Sequence, residues 1–104
     1  MNLISQINSI LKRFETGDKF KSYKELQKIF KKNKDNNLIR YNLAVIQQNL
    51  NLNEKARINY NYLIRVEKNL KAMINLYNMD IIEANYFEAL NTIESILKIT
   101  QLKT

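Results

Sequence analysis

Apolar residues recur along this chain at three- and four-residue spacings, in six windows separated by short polar segments. The first stripe runs Leu3, Ile7, Ile10/Leu11, Phe14, and the second Phe20, Tyr23, Leu26/Gln27, Phe30. Ile39, Leu43, Ile46, Leu50 form a third, and Ala56, Tyr60, Leu63/Ile64 a fourth. Met73, Leu76/Tyr77, Asp80 and Tyr86, Ala89/Leu90, Ile93, Ile96/Leu97 complete the set. Each stripe gives a helix one apolar face, so the pattern predicts six helices of about 13–15 residues. The separators are Thr16-Gly17-Asp18, Lys34-Asp35-Asn36-Asn37, Asn51-Leu52-Asn53 and the neighbourhoods of Asn69 and Asn85. Asparagine suits them, because its short side chain caps helix N-termini and tolerates left-handed backbone. Asn51 with Glu54, and Asn85 with Glu88, have capping-box spacing.

Composition narrows the class further. One glycine and no proline leave too few turn-formers for a sandwich or barrel. The length of 104 residues fits one domain, residues 1–104, with enough chain to bury a core. The expectation is an all-α fold.

Displaced by 33 positions, the chain lies on itself. Ile10 falls on Leu43 and Leu76, Phe20 on Asn53 and Tyr86, Tyr23 on Ala56 and Ala89, and Phe30 on Leu63 and Ile96. A fixed period across three copies is the mark of a repeat array. The clearest copy reads Tyr41-Asn42-Leu43-Ala44-Val45-Ile46, then Asn53 to Tyr60, then Leu63-Ile64. These residues resemble the tetratricopeptide repeat, a helix–turn–helix unit of about 34 residues. In that family a Leu-small pair sits in the first helix and an Ala-x-x-x-aromatic pair in the second. Leu43-Ala44 and Ala56…Tyr60 fit those roles. The third copy offers Leu76, Tyr86, Ala89 and Ile93, with Tyr77 at the small site. The first copy has Leu11 at that site and Tyr23 where alanine is usual. The resemblance covers roughly residues 4–99 and implies a six-helix right-handed α-solenoid of three repeats, about 4–35, 36–68 and 69–101.

In the family, the first helices line a concave groove that holds a partner's peptide or helix. By resemblance the groove-facing residues are Asn8 and Lys12 in the first unit. In the second they are Leu38, Tyr41, Asn42, Val45 and Asn49, and in the third Lys71, Ile74, Asn75, Asn78 and Ile81. Chaperone-binding members grip a C-terminal carboxylate with a clamp of lysine, asparagine and arginine. Asn42 and Lys71 occupy clamp places, but Asn8, Lys12 and Asn75 depart from the pattern. That leaves a general groove of mixed polarity.

Charge adds an alternative. Between Lys12 and Lys34 stand nine basic and three acidic residues, whereas residues 35–104 are nearly balanced. Lys21, Lys24, Lys28 and Lys31/Lys32 share one helix face, a stripe that would meet nucleic-acid phosphates or an acidic partner. Tyr23 and Phe30 belong to the core stripe and are not free to stack on bases. The same basic amphipathic helix would also suit contact with an anionic membrane surface. Without histidine or cysteine, no Ser/His or Cys/His machine and no thiolate metal site can be built. Glu15/Asp18 and Asp80/Glu83 read as solvated faces, with nothing converging on them. The expectation is a non-enzyme, without cofactor or metal, that binds protein. Alternatives are a nucleic-acid-associated protein using residues 12–34, or the helical interaction segment of a larger enzyme.

No apolar stretch approaches the roughly 20 residues of a membrane span, and residues 1–11 alternate at helical spacing rather than forming a signal block. Cytoplasm is the expected location. In the last helix, Tyr86, Ala89, Ile93 and Ile96 are expected to face inward. Phe87, Leu90 and Leu97 then line an adjacent stripe, broken only by Glu94 and extended by Ile99 and Leu102. Terminal units normally become polar there. The stripe therefore predicts a homodimer or stable hetero-complex through residues 86–102, unless Leu102 and the tail fold back over it.

Overall fold

The computed structural model describes residues 2–101, and over them the chain is all-α, with no strand. Six helices follow in order: α1 (Leu3–Thr16), α2 (Lys19–Lys31), α3 (Asn37–Asn49), α4 (Asn53–Glu67), α5 (Leu70–Ile82) and α6 (Tyr86–Gln101). The main contacts join sequence neighbours, each helix packing on the one before and the one after. The body measures 40 × 28 × 21 Å. Among the described residues, no helix is long and apolar enough to cross a membrane.

Polar side chains start most of these helices. Asn2, Asp18, Asn36 and Asn69 accept hydrogen bonds from the backbone N–H groups of Ser5, Lys21, Ile39 and Ala72. Each satisfies a donor that the helix itself leaves unpaired. The capping box expected at Asn51 and Glu54 does not form. Leu52 occupies the cap position without a side-chain bond, and Asn51 takes the left-handed region at φ 62°.

The α3–α4 and α5–α6 turns match residue for residue. Leu50 N–H donates to Ile46 O (3.0 Å) and Leu52 N–H to Gln47 O (2.8 Å). Thirty-three residues on, Glu83 N–H donates to Met79 O (3.0 Å) and Asn85 N–H to Asp80 O (2.7 Å). The left-handed residue is Asn51 in one and Ala84 (φ 61°) in the other. The α1–α2 turn is one residue shorter, holding only Gly17 and Asp18. A Cβ on Gly17 would lie 3.1 Å from Arg13 O, so the tight turn favours glycine.

That missing residue corrects the superposition in the first helix pair. A displacement of 33 holds for the first helices, where Ile10, Leu43 and Leu76 are all buried, as are Phe14, Gln47 and Asp80. In α2 it is one out. The buried counterpart of Ala56 and Ala89 is Ser22, not Tyr23. All three are small, and each is the fourth residue of its helix.

Two apolar clusters follow. Ile7, Ile10, Phe14, Tyr23, Leu26, Ile39, Leu43 and Ile46 join α1, α2 and α3. Ala44, Ala56, Tyr60, Leu63, Ala72, Leu76 and Met79 join α3, α4 and α5. Phe20 and Tyr86 were expected in the core stripes, yet they are 62% and 65% exposed. Both stand in the first turn of their helix, ahead of the buried small residue.

Two substitutions test this packing. Ala56→Leu adds volume where no space is open and should cost on the order of 1–3 kcal/mol; an unchanged urea midpoint would misplace that contact. Ala84→Gly removes the left-handed penalty of an L-residue and should gain about 0.5–1 kcal/mol. Asn51→Gly should gain less, since asparagine already tolerates that conformation. Thermal melts of both variants read the difference.

Candidate partner-binding surface and its polar supports

The expected groove residues lie on α1, α3 and α5, and the structure brings a subset together. Leu38 and Tyr41 of α3 and Lys71 of α5 line one cleft of about 240 Å³, with Asn37, Glu67 and Asn69. Asn75 reaches across from α5 and donates to the Tyr41 hydroxyl at 3.0 Å and to the Tyr60 hydroxyl at 3.3 Å. Tyr60 donates in turn to Gln48 Oε1 at 2.7 Å. The Tyr41 and Tyr60 rings lie 6.3 Å apart at 56°, a tilted aromatic pair. Burial is the main reason the Tyr60 hydroxyl holds its proton well above the ordinary phenol range. Tyr41 thus forms a hydrogen-bonded aromatic wall of the cleft.

Around this centre Leu38, Ile74, Ile81, Asn49 and Asn78 are exposed, while Asn42 and Val45 are half-buried. Asn42 and Asn49 each donate an amide hydrogen to their own helix, at Leu38 O and Val45 O, both 2.9 Å. Asn8 is exposed on α1, and Lys12 lines a different cleft, between α1 and α2.

The basic stripe divides. Lys21, Lys24 and Lys28 share a recess of about 470 Å³ with Asp18, Glu25 and the exposed Phe20 ring. Lys31 and Lys34 turn instead to a recess between α2 and α4, where Lys55 joins them and Phe30 and Ile58 form walls. Phe20, expected in a core stripe, is therefore the aromatic that stays open beside these lysines.

Periodicity did not reveal the buried polar junctions between helix pairs. Gln47 Nε2 donates to the Tyr23 hydroxyl (3.1 Å), while Gln47 Oε1 accepts from Asn59 Nδ2 (2.8 Å). Arg40 Nη1 donates to Asn59 Oδ1 (3.0 Å), and its guanidinium lies 3.7 Å from the Tyr62 ring centre and 4.8 Å from that of Phe30. One unit on, Asp80 takes the place of Gln47. It is 1% exposed and accepts from Arg57 Nη1 at 2.6 Å, while Arg57 Nη2 reaches Glu83 at 3.0 Å. Asp80 is thus not part of a solvated face, although Glu83 is exposed: Asp80 sits within an apolar stripe and needs a partner there. Burial alone would lower the Arg57 pKa, but the Asp80 hydrogen bond and the two carboxylate charges more than reverse it. The sequence signal was there, a carboxylate at a core position, but its partner lies 23 residues away.

On α6, Ala89 is buried, Ile93, Ile96 and Ile99 are half-buried, and Phe87, Leu90 and Leu97 are exposed. Leu102, expected to extend or cover this stripe, lies outside the described residues. Among the described residues, no group of three or more histidine, cysteine or acidic side chains is arranged to hold a metal. No family model, curated protein or solved structure matches this chain.

Arg57→Met leaves the Asp80 carboxylate buried without its partner and should cost about 3 kcal/mol. Adding Asp80→Leu should recover most of that loss, because the uncompensated charge is gone. Urea unfolding of the single and double variants measures it. A single variant as stable as the parent would mean the pair holds nothing together.

Proposed function

We propose that this chain is a protein–protein interaction module of the tetratricopeptide-repeat type, a short right-handed solenoid rather than an enzyme. It holds an extended peptide or helix against the surface built from α3 and α5. The observation that carries the reading is the cleft spanning two helix pairs, where Leu38, Tyr41 and Lys71 converge. Its hydrogen-bonded aromatic wall and exposed apolar residues (Leu38, Ile74, Ile81) offer area for side chains. Lys71 and the asparagine amides offer donors to a peptide's carbonyl or carboxylate groups. A cytoplasmic setting goes with this reading, since no cysteine is present for an oxidising compartment to pair.

The exposed Phe20 beside Lys21, Lys24 and Lys28 favours a second reading, association with single-stranded nucleic acid. A ring open to a base beside cationic groups that neutralise phosphate is the arrangement such binding uses.

Pull-down from native lysate, with and without nuclease, separates the two. Leu38→Glu with Lys71→Glu should abolish capture of a protein partner while the circular dichroism spectrum stays helical. Capture that survives this pair, disappears with nuclease and falls with Lys21→Glu/Lys24→Glu would hand the function to the basic recess. Phosphate contacts would also make that binding weaken steeply with salt.

A further inference from the structure

The last helix carries the face with which α2 and α4 each hold the helix that follows. In α2 the fifth and twelfth residues, Tyr23 and Phe30, meet α3: Gln47 donates to Tyr23, and Arg40 lies over Phe30. In α4 the fifth residue, Arg57, pairs with Asp80 of α5, and Ile64, the twelfth, packs against the cluster that includes Leu76. The same two positions of α6 are Leu90 and Leu97, 55% and 50% exposed, with Glu94 between them.

The opposite end of the molecule carries the complementary face. A cleft of about 660 Å³ between α1 and α2 is lined by Gln6, Ile10, Arg13, Glu25 and Lys28, among others. Their counterparts one unit on, displaced by 33 on α1 and 34 on α2, are Ile39, Leu43, Ile46, Asn59 and Tyr62. Ile39, Leu43 and Ile46 receive Tyr23 and Leu26 of α2 in the first cluster. Asn59 shares a recess with Phe30, and Tyr62 lies 3.7 Å from the Arg40 guanidinium that also lies over Phe30. One end thus offers a junction's donor face and the other end its acceptor face. Charge agrees: the cleft holds Lys12, Arg13 and Lys28 against one acid, Glu25, which Arg13 already pairs at 2.8 Å. The α6 face brings Glu94.

We propose that the chain associates head to tail, with α6 of one copy seated in the α1–α2 cleft of the next. Leu90 and Leu97 cover the half-buried Ile29 above a floor that includes the buried Ile10, and Glu94 meets the cationic rim. The contact is heterologous and continues the packing of α2 on α3 and of α4 on α5, so it propagates as an open chain rather than closing into a pair. It is independent of what the α3–α5 cleft binds.

Sedimentation of the full chain from micromolar to high-micromolar concentration tests this. The weight-average mass should climb from the 12.4 kDa monomer to about twice that and beyond as concentration rises. A tail variant, Leu90→Glu/Leu97→Glu, and a head variant, Lys12→Glu/Lys28→Glu, should each be monomeric alone. Mixed in equal amounts they should form a discrete dimer, because one keeps an intact α6 and the other an intact cleft. If the tail variant loses helicity, Glu94→Lys replaces it in the same experiment. A parent chain that stays monomeric throughout overturns the proposal. So does a head variant that still dimerises, which would mean α6 pairs with α6, or a mixture that stays monomeric.

Discussion

Each second helix lies close against its neighbours because the side chain four residues into it is small. Ser22, Ala56 and Ala89 are buried at that position, and a larger group would hold the helices apart. Closeness there sets where each apolar stripe begins to bury, which is why the residues ahead of it, Phe20 and Tyr86, remain in solvent. In the middle of the molecule the effect is compounded. Ala44, Ala56 and Ala72 from three successive helices share one cluster, and Tyr60 and Leu63 fill the volume around them. The small residues supply proximity, and the large ones supply the buried area that stabilises it.

The junctions between helix pairs follow a different logic. Gln47 and Asp80 occupy the same place in α3 and α5, and both are buried where an apolar side chain would pack. Each is reached by the fifth residue of the preceding helix, Tyr23 in one case and Arg57 in the other. Burying an ion pair adds little net stability over a hydrophobic pair, but a mismatched partner is expensive. Tyr23 brought to Asp80, or Arg57 to Gln47, would leave the Arg57–Asp80 charges unpaired. The two junctions therefore discriminate between neighbours that are otherwise nearly alike. Leu90, the corresponding residue of α6, makes no such demand and accepts an apolar surface.

The molecule presents chemically distinct regions on its surface. The α3–α5 cleft combines a hydrogen-bonded tyrosine with exposed aliphatic residues and amides. The recesses beside α2 gather lysines around Phe20 and around Phe30. The end faces carry the geometry of the internal junctions outward. The α3–α5 cleft shares no residue with the α1–α2 cleft, whereas the α1–α2 cleft and the Phe20 recess share Glu25 and Lys28, so occupation of one of these two bears on the other.

How much of this was legible depended on whether the cause was local. The helix windows follow from the spacing of apolar residues, and the helix starts at Asp18, Asn36 and Asn69 from side chains that bond a backbone N–H three residues on. The 33-residue recurrence of Leu43 as Leu76 and of Ala56 as Ala89 was also readable, because it lies in the order of residue types. Within the candidate site, the placement of Leu38, Tyr41 and Lys71 on first helices was expected, but their convergence with Glu67 on one cleft was not. Periodicity gives the direction in which a side chain points, not how far along its axis the partner helix extends, so Phe20 was misplaced. One residue fewer between α1 and α2 rotates α2 by about 100° relative to a strict repeat, which only the packed helices reveal as the burial of Ser22. The fate of Asp80 depended on a guanidinium 23 residues away. Local order of residue types determined the helices and their period. Tertiary packing alone decided which charge meets which, because that choice is made by side chains distant in sequence and forced to share a space without water.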